Sequence, residues 1–170
     1  MRWAIYPTLL LTLAAACAKN GVFRDGVYAD DSVRYRVGTL AGAWNRVAET
    51  GGQIAFIERS TTATILAHAV CGALDAPLGV LTQHLLIDFT EKRFLSRKTI
   101  PFADREALRS RVLAKLDGVP VEIDSVVLKK DGCVFDLTYS APPAHFAARH
   151  QDFEGFLQGF QKLPTEGDRR

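Results

Sequence analysis

The sequence lacks an apolar segment long enough to span a membrane, and it lacks an excess of charge of either sign. Of its 170 residues, 48% are hydrophobic and 24% are charged, and the formal net charge is +2. This composition argues against a disordered chain, a collagen-like chain and a protein with several membrane spans. Basic and acidic residues are nearly equal in number, and we find no basic stripe interleaved with aromatic residues. Neither observation favours binding of nucleic acid.

Motifs of common catalytic and cofactor sites are also absent. The sequence contains no nucleophile elbow, phosphate-binding loop or Cys-x-x-Cys pair. Its four histidines are His68, His84, His145 and His150. None forms a His-x-His or His-Glu-x-x-His motif, and the spacing of the last two places them on different sides of a helix. The sequence therefore predicts no catalytic residue, no metal site and no cofactor.

Residues 1–16 have the features of an export signal. Arg2 supplies a positive charge, residues 5–13 form a short apolar stretch, and residues 14–16 are alanines that a signal peptidase accepts. The apolar part is shorter than the ~20 residues that a membrane-spanning helix needs. We therefore expect residues 1–16 to be removed by cleavage.

Residues 13–17, Leu-Ala-Ala-Ala-Cys, resemble the lipobox of bacterial lipoproteins. The resemblance implies that Cys17 is acylated and becomes the first residue of a membrane-anchored protein. Because Ala18 rather than Asp follows the cysteine, the resemblance also implies an outer-membrane location facing the periplasm. The alternatives are an ordinary secreted protein with a free thiol at Cys17 and a buried N-terminal helix.

The rest of the chain divides into a tether, one domain and a tail. Residues 17–31 contain Gly, Asp and Asn with few apolar side chains, which predicts a flexible tether, with a short hairpin around Asp25-Gly26 as the alternative. Residues 32–163 form the predicted single domain, and residues 164–170 are a polar tail. Alternating apolar residues predict strands at 32–37, around Ile54 and Phe56, and at 62–71.

Later patterns predict two helices and a meander. Apolar residues recur at intervals of three and four between residues 75 and 89, which predicts a short helix capped by Asp75. Residues 93–140 alternate and are interrupted by Gly-containing turns, as in an antiparallel meander. After two prolines, phenylalanines at helical spacing predict a closing helix from about residue 144 to 162.

The order of these elements, with "DGCVFDLTYSAPPAHF" leading into "FEGFLQGF", resembles the PsbP and Mog1-like group, especially bacterial lipoproteins with that fold. The resemblance covers about residues 32–163 and includes the Trp-bearing turn in "YRVGTLAGAW". It implies an α+β fold in which a central antiparallel β-sheet is flanked by α-helices as an α/β sandwich. It also implies an accessory, assembly or binding role.

Cys71 and Cys133 remain once Cys17 is acylated. Two cysteines in an oxidising compartment are usually joined, so a disulfide is predicted, with two buried free thiols as the alternative.

Three of the carboxylates on predicted strands are candidate functional residues. Glu122 and Asp124 share one face, and a solvated sheet surface explains them better than a cation site or an acid–base pair. Asp136 interrupts an apolar strand, and we expect it to pair with an arginine or lysine on a neighbouring strand, for example Arg109 or Arg111.

These observations favour a non-enzymatic, lipid-anchored accessory domain that binds an envelope protein partner. A periplasmic carrier of a small apolar or lipidic ligand is the alternative, and its cavity is predicted to be lined by Trp44, Phe56, Phe94 and Phe102. An unrecognised hydrolase would need carboxylates or histidines with perturbed pKa values converging in a cleft.

Overall fold

The computed structural model describes residues 21–72 and 75–165, so Cys17 and the predicted export signal lie outside the described residues. Within these ranges, no helix has the length and apolar character to cross a membrane. The elements in chain order are β1 (Val22–Arg24), β2 (Val27–Ala29), β3 (Arg34–Arg36), β4 (Trp44–Thr50), β5 (Gln53–Glu58), β6 (Ala63–Cys71), α1 (Leu78–Leu85), β7 (Thr90–Phe102), β8 (Arg105–Leu116), β9 (Val119–Lys130), β10 (Cys133–Ala141), α2 (Phe146–Gln158) and β11 (Gln161–Lys162).

The strands form two antiparallel sheets. A seven-stranded sheet has the order β4-β5-β6-β10-β9-β8-β7, and a four-stranded sheet has the order β1-β2-β3-β11. The predicted α+β fold is confirmed, and β7 to β10 form the predicted meander. Two of its turns contain an Asp-Gly pair with positive φ at both residues, 50° and 82° at Asp117-Gly118 and 50° and 74° at Asp131-Gly132. Such turns match the twist of a two-residue hairpin.

The main core lies between one face of the large sheet, the small sheet and α2. Alternation along β10 buries every second residue, including Phe135 and Tyr139. Helix α2 covers them with four buried apolar residues, which are Phe146, Phe153, Phe156 and Leu157. The helix ends at Gln158, before the predicted residue 162, because the chain then enters the small sheet as β11.

Gly38 shows how closely the chain approaches α2. Its amide donates a hydrogen bond of 2.9 Å to the carbonyl oxygen of Phe156. A Cβ atom at position 38 would lie 2.0 Å from the carbonyl oxygen of Gly155, so only glycine fits.

The predicted tether is wrong over residues 22–29, where the alternative hairpin forms. β1 and β2 pair around Asp25-Gly26. The ring of Tyr28 is fully buried and stacks on Tyr35 with 5.1 Å between centroids. The burial of these tyrosines makes the hairpin part of the domain, which therefore extends at least to Val22.

The short helix α1 covers the opposite face of the large sheet. Thr82 is the buried residue of the helix. Leu86, the first residue after the helix, packs in a second small core with Val112 and Ile123. Asp75 does not cap α1, in contrast to the prediction, because the N-cap position is Pro77, two residues later. The Asp75 carboxylate lies 2.5 Å from Lys129 Nζ instead. Trp44 begins the strand β4 at one edge of the large sheet, where the sequence indicated only a Trp-bearing turn.

Cys71 and Cys133 face each other on the paired strands β6 and β10 and form a disulfide. The bond encloses a sequence separation of 62 residues and joins the first part of the large sheet to its meander.

The double substitution Cys71→Ala/Cys133→Ala is expected to lower the free energy of unfolding by about 4 kcal/mol. The disulfide closes a long loop and so lowers the conformational entropy of the unfolded chain, and this restriction is lost when the bond is removed. Denaturant titration measures the change. A reductant should destabilise the wild-type protein and leave the double variant unchanged. Equal stability of the two proteins under oxidising conditions would contradict the expectation.

Candidate functional site

The two carboxylates of β9 are buried, not solvated as the sequence indicated. Register places Glu122 and Asp124 on the core face beside β8 and β10, where α2 covers them. Their exposed fractions are 7% and 3%. Buried carboxylates need ionic partners, and β8 supplies two arginines on the same face.

Arg109 is the centre of the larger ionic network. Its Nε and Nη2 atoms donate to the two carboxylate oxygens of Asp124 at 3.1 and 2.6 Å. It also donates to both oxygens of Glu154 on α2. Its hydrogen bonds to Asp124 raise the pKa of Arg109 further above its usual value, and those to Glu154 act in the same direction. This network joins β8, β9 and α2.

Arg111 and His150 extend the network towards the start of α2. Arg111 Nε donates to Glu122 at 2.6 Å, and its guanidinium lies 4.6 Å from the ring centroid of Phe146. His150 Nε2 lies 2.8 Å from Asp124 Oδ2, and the imidazole stacks on the ring of Phe146. The first turns of α2 are therefore held by charge as well as by apolar contact.

Three members of this network have the atoms of a metal site. The ligand atoms of Asp124, His150 and Glu154 lie within 4.8 Å of one another. However, Arg109 Nη2 donates to both carboxylates, so a guanidinium supplies the positive charge that a metal ion would bring. The arrangement can position α2 electrostatically.

A second ionic network holds the other side of α2. Glu58, 2% exposed at the end of β5, accepts hydrogen bonds from the hydroxyl and amide groups of Ser60 and Thr61. Arg149 Nε lies 3.7 Å from the same carboxylate. The hydrogen bonds from Thr61 and then Ser60 lower the pKa of Glu58 to about 2. Next to this network, Trp44 Nε1 donates to Asp152 at 2.9 Å.

Asp136 does not pair with Arg109 or Arg111, which lie on the other face of the sheet. Its cross-strand neighbour is His68, with Nδ1 and Oδ2 3.8 Å apart. The prediction of an arginine partner is therefore wrong, because the alternation of β8 directs both arginines towards α2.

The four aromatic residues predicted to line a cavity do not converge. Trp44 binds Asp152, Phe56 packs against Phe23 and Phe156, and Phe102 stacks on Phe160. Phe94 is 41% exposed on β7, at the sheet edge opposite to β4. These positions give no support to the apolar cavity expected of a ligand carrier.

An open cleft of about 830 Å³ lies beside the β7–β8 turn and the start of α1. Its volume falls within the range of small-molecule sites, but charged residues form half of its lining. The lining residues are Leu78, Thr99, Ile100, Pro101, Asp104, Arg105, Glu106 and Lys129.

The edge strand β7 carries a basic strip that our sequence analysis missed. We define the strip as Lys92, Arg93, Arg97 and Lys98, together with Phe94 and Leu95 between them. Among the described residues, no carboxylate lies within 4.0 Å of any of the four cations. Two of them contact backbone instead, since Lys92 Nζ donates to the Leu86 carbonyl and Arg97 to that of Gly79.

The apolar side chains of the basic strip are accessible. Phe94 and Leu95 are each 41% exposed, and the guanidinium of Arg97 lies 5.4 Å from the centroid of Phe94. The local sequence "EKRFLSRK" has four basic residues and one acidic residue, and this cluster could have revealed the strip. The net charge of the chain hides it, because acidic residues elsewhere balance these basic ones. Register places Phe94 and Arg97 on the face of the sheet that α1 covers, and Arg93 and Lys98 on the face that α2 covers. The strip therefore carries positive charge on both sides of an edge strand, and an acidic partner can bind along that edge through charge and apolar contact.

Comparison with known proteins identifies the fold alone. No protein-family model matches the chain. No curated protein matches it either. Cyanobacterial PsbP (CyanoP) from Synechocystis has a TM-score of 0.53 with 9% identity over 93% of this chain and 100% of its own. The chain has a PsbP-like fold.

Two other similar structures come from bacteria. LpqN of Mycobacterium tuberculosis, which is involved in cell envelope biogenesis, has a TM-score of 0.56 with 16% identity over 79% of this chain and 87% of its own. A Pseudomonas aeruginosa protein of unknown function has a TM-score of 0.54 with 12% identity over 87% of this chain and 99% of its own. At these identities the PsbP-like fold is shared, and function does not follow from it.

Asp124→Asn is expected to lower the free energy of unfolding by roughly 3 kcal/mol, because it leaves a partly buried Arg109 with one fewer counter-charge. Glu91→Gln is the matched control, since it removes a carboxylate from the exposed pair with Lys115 and should cost less than about 1 kcal/mol. Denaturant titration of both variants gives the comparison. Equal losses would show that the Arg109 network does not hold α2.

Glu58→Gln is expected to change the acid dependence of stability. The pKa of Glu58 lies below its ordinary value of 4.5 in the folded protein, so the carboxylate stabilises the fold above that pH and loses this effect as pH falls towards 2. The difference in melting temperature between the wild-type protein and the variant should therefore be largest near neutral pH and shrink below pH 4.5. Glu106→Gln, at an exposed position, should show no such trend.

Proposed function

We propose that this chain is a lipoprotein anchored through Cys17, and that its domain binds an envelope protein partner without catalysing a reaction. The observation that carries the proposal is the Cys71–Cys133 disulfide. Structural disulfides persist in exported proteins and are rare in reducing compartments. Together with the lipobox-like residues 13–17, the bond supports export to the periplasmic side of a membrane, which we propose is the outer membrane.

The PsbP-like fold supports the same role. LpqN is involved in cell envelope biogenesis and is similar in fold to this chain. The buried acidic residues also favour binding over catalysis, because Asp124 and Glu58 are engaged by partners that hold α2 in place. A reaction would require at least one such group to be directed towards a substrate.

The basic strip on β7 is the proposed contact surface. Its four cations have no acidic partner among the described residues, so a protein surface rich in Asp and Glu would supply the missing charges. Arginine binds carboxylates through two parallel hydrogen bonds, and the exposed Phe94 and Leu95 provide apolar contact. The partner is therefore expected to be acidic and to present an apolar patch.

The position of the basic strip fits an anchored domain. β1 packs against β4, and β4 and β7 are the opposite edges of the seven-stranded sheet. Six strand spacings of about 4.8 Å place β7 roughly 29 Å along the sheet from the edge nearest to the anchor. The strip is thus directed away from the point at which the chain would leave the membrane.

Cys17→Ser is expected to move the protein from the membrane fraction to the soluble periplasmic fraction, because the acyl chains provide the anchoring. Cell fractionation with detection of the full-length protein measures this. Unchanged membrane retention would contradict anchoring through Cys17.

Arg93→Gln/Arg97→Gln/Lys98→Gln is expected to reduce crosslinking to an acidic envelope protein by about tenfold, since three contacts of roughly 0.5 kcal/mol each are lost. The measurement is crosslinking of the full-length lipoprotein in intact cells, with identification of the captured protein. Arg59→Gln/Arg105→Gln/Lys115→Gln removes the same charge from other surfaces and should leave the crosslink intact. Equal loss of crosslinking in both variants would show that the interaction depends only on the net charge of the protein, which would contradict the strip as the contact surface.

A further inference from the structure

The outer face of the four-stranded sheet carries three arginines without carboxylate partners. β1, β2 and β3 each alternate, so Phe23, Tyr28 and Tyr35 point into the domain while their neighbours point outward. Register aligns the outward residues in two rows. One row is Arg24, Val27, Arg36 and Gln161, and the other is Val22, Ala29 and Arg34.

The charges of this arginine face are unpaired within the described chain. None of Arg24, Arg34 and Arg36 has a carboxylate of the described residues within 4.0 Å. The outward strand positions carry no acidic residue, because the nearby acids lie in the turns. Asp25 is in the β1–β2 turn, and Asp30 and Asp31 are in the β2–β3 turn, where Asp30 accepts hydrogen bonds from Ser32 and Tyr28.

Apolar residues lie between these arginines. Val22 is 52% exposed, and Val27 and Ala29 are partly exposed. A face of this kind, with arginines around small apolar side chains, matches the boundary between lipid headgroups and acyl chains. Arginine binds phosphate through two parallel hydrogen bonds, which favours phospholipid headgroups over a neutral surface.

The length of chain before β1 limits where this face can lie. Three residues, 18–20, separate Cys17 from Gly21, the first described residue. Four extended residues span at most about 14 Å, so an acylated Cys17 keeps the start of β1 within that distance of the headgroups. The arginine face is therefore held close to the membrane, where electrostatic attraction acts over about 8 Å at physiological salt.

We propose that the outer face of the β1-β2-β3-β11 sheet lies on anionic phospholipid headgroups through Arg24, Arg34 and Arg36, which fixes the orientation of the domain on its membrane. The proposal rests on the anchoring through Cys17 proposed above. In this orientation the basic strip on β7 projects away from the lipid and is accessible to a protein partner.

Arginine footprinting of the full-length acylated protein tests the contact. The protein is reconstituted into vesicles of phosphatidylcholine alone or with added phosphatidylglycerol and then treated with phenylglyoxal. Modification of Arg24, Arg34 and Arg36 should be about fivefold slower on the anionic vesicles, the factor expected for one basic residue at such a surface. Arg59 and Arg93 are internal controls and should react equally on both. Raising the salt to about 1 M should remove the difference.

A charge variant gives a second readout. Arg24→Gln/Arg34→Gln/Arg36→Gln should remain on the vesicles through its acyl chains but lose the protection from hydrogen exchange that anionic lipid gives residues 22–36. Arg93→Gln/Arg97→Gln/Lys98→Gln carries the same charge change and should keep that protection.

The outcomes separate the two proposals. A protein that fails to float with either kind of vesicle would contradict the anchor. A protein that floats but shows equal arginine reactivity on both vesicles would contradict the lipid contact and leave the anchor intact. Protection found in native envelopes but absent from anionic vesicles would assign the face to a protein instead and overturn the proposal.

Discussion

The position of α2 on the large sheet is the constraint on which the rest of the structure depends. Phe153 and Phe156 bury its middle, the Arg109–Asp124–Glu154 network holds one side, and Glu58 with Arg149 holds the other. Because Asp124 and Glu58 are almost completely buried, their charges are stabilised only when these partners are in place. The helix thus closes the main core, and the residues most suggestive of catalysis are those that fix it.

Since the buried charges are used for structure, the surface charges are the ones available for binding. Two groups lack carboxylate partners among residues 21–72 and 75–165, namely the arginine face near the proposed anchor and the basic strip on β7. They lie at different edges of the molecule, because β1 packs on β4 and β7 ends the other side of the sheet. A domain with this arrangement can meet a membrane at one edge and a protein at the other.

The sequence was informative about the fold because strand alternation and the phenylalanine stripe of α2 are local patterns that burial enforces. It predicted the meander, the closing helix and the partners Cys71 and Cys133. It could not show that Glu122 and Asp124 face α2, since charged residues on a strand usually indicate solvent. That fact depends on which face a distant helix covers. The β1–β2 hairpin was undervalued because only two of its side chains, Phe23 and Tyr28, contact the core, in a short segment that also contains Gly, Asp and Arg.

Export is the claim that most of this account requires, and the intact mass of the protein isolated from its own cells tests it most directly. The account predicts a chain that begins at an acylated Cys17 and in which Cys71 and Cys133 have together lost two hydrogens. A chain that retains residues 1–16, carries no acyl group and has both of those thiols reduced would contradict it.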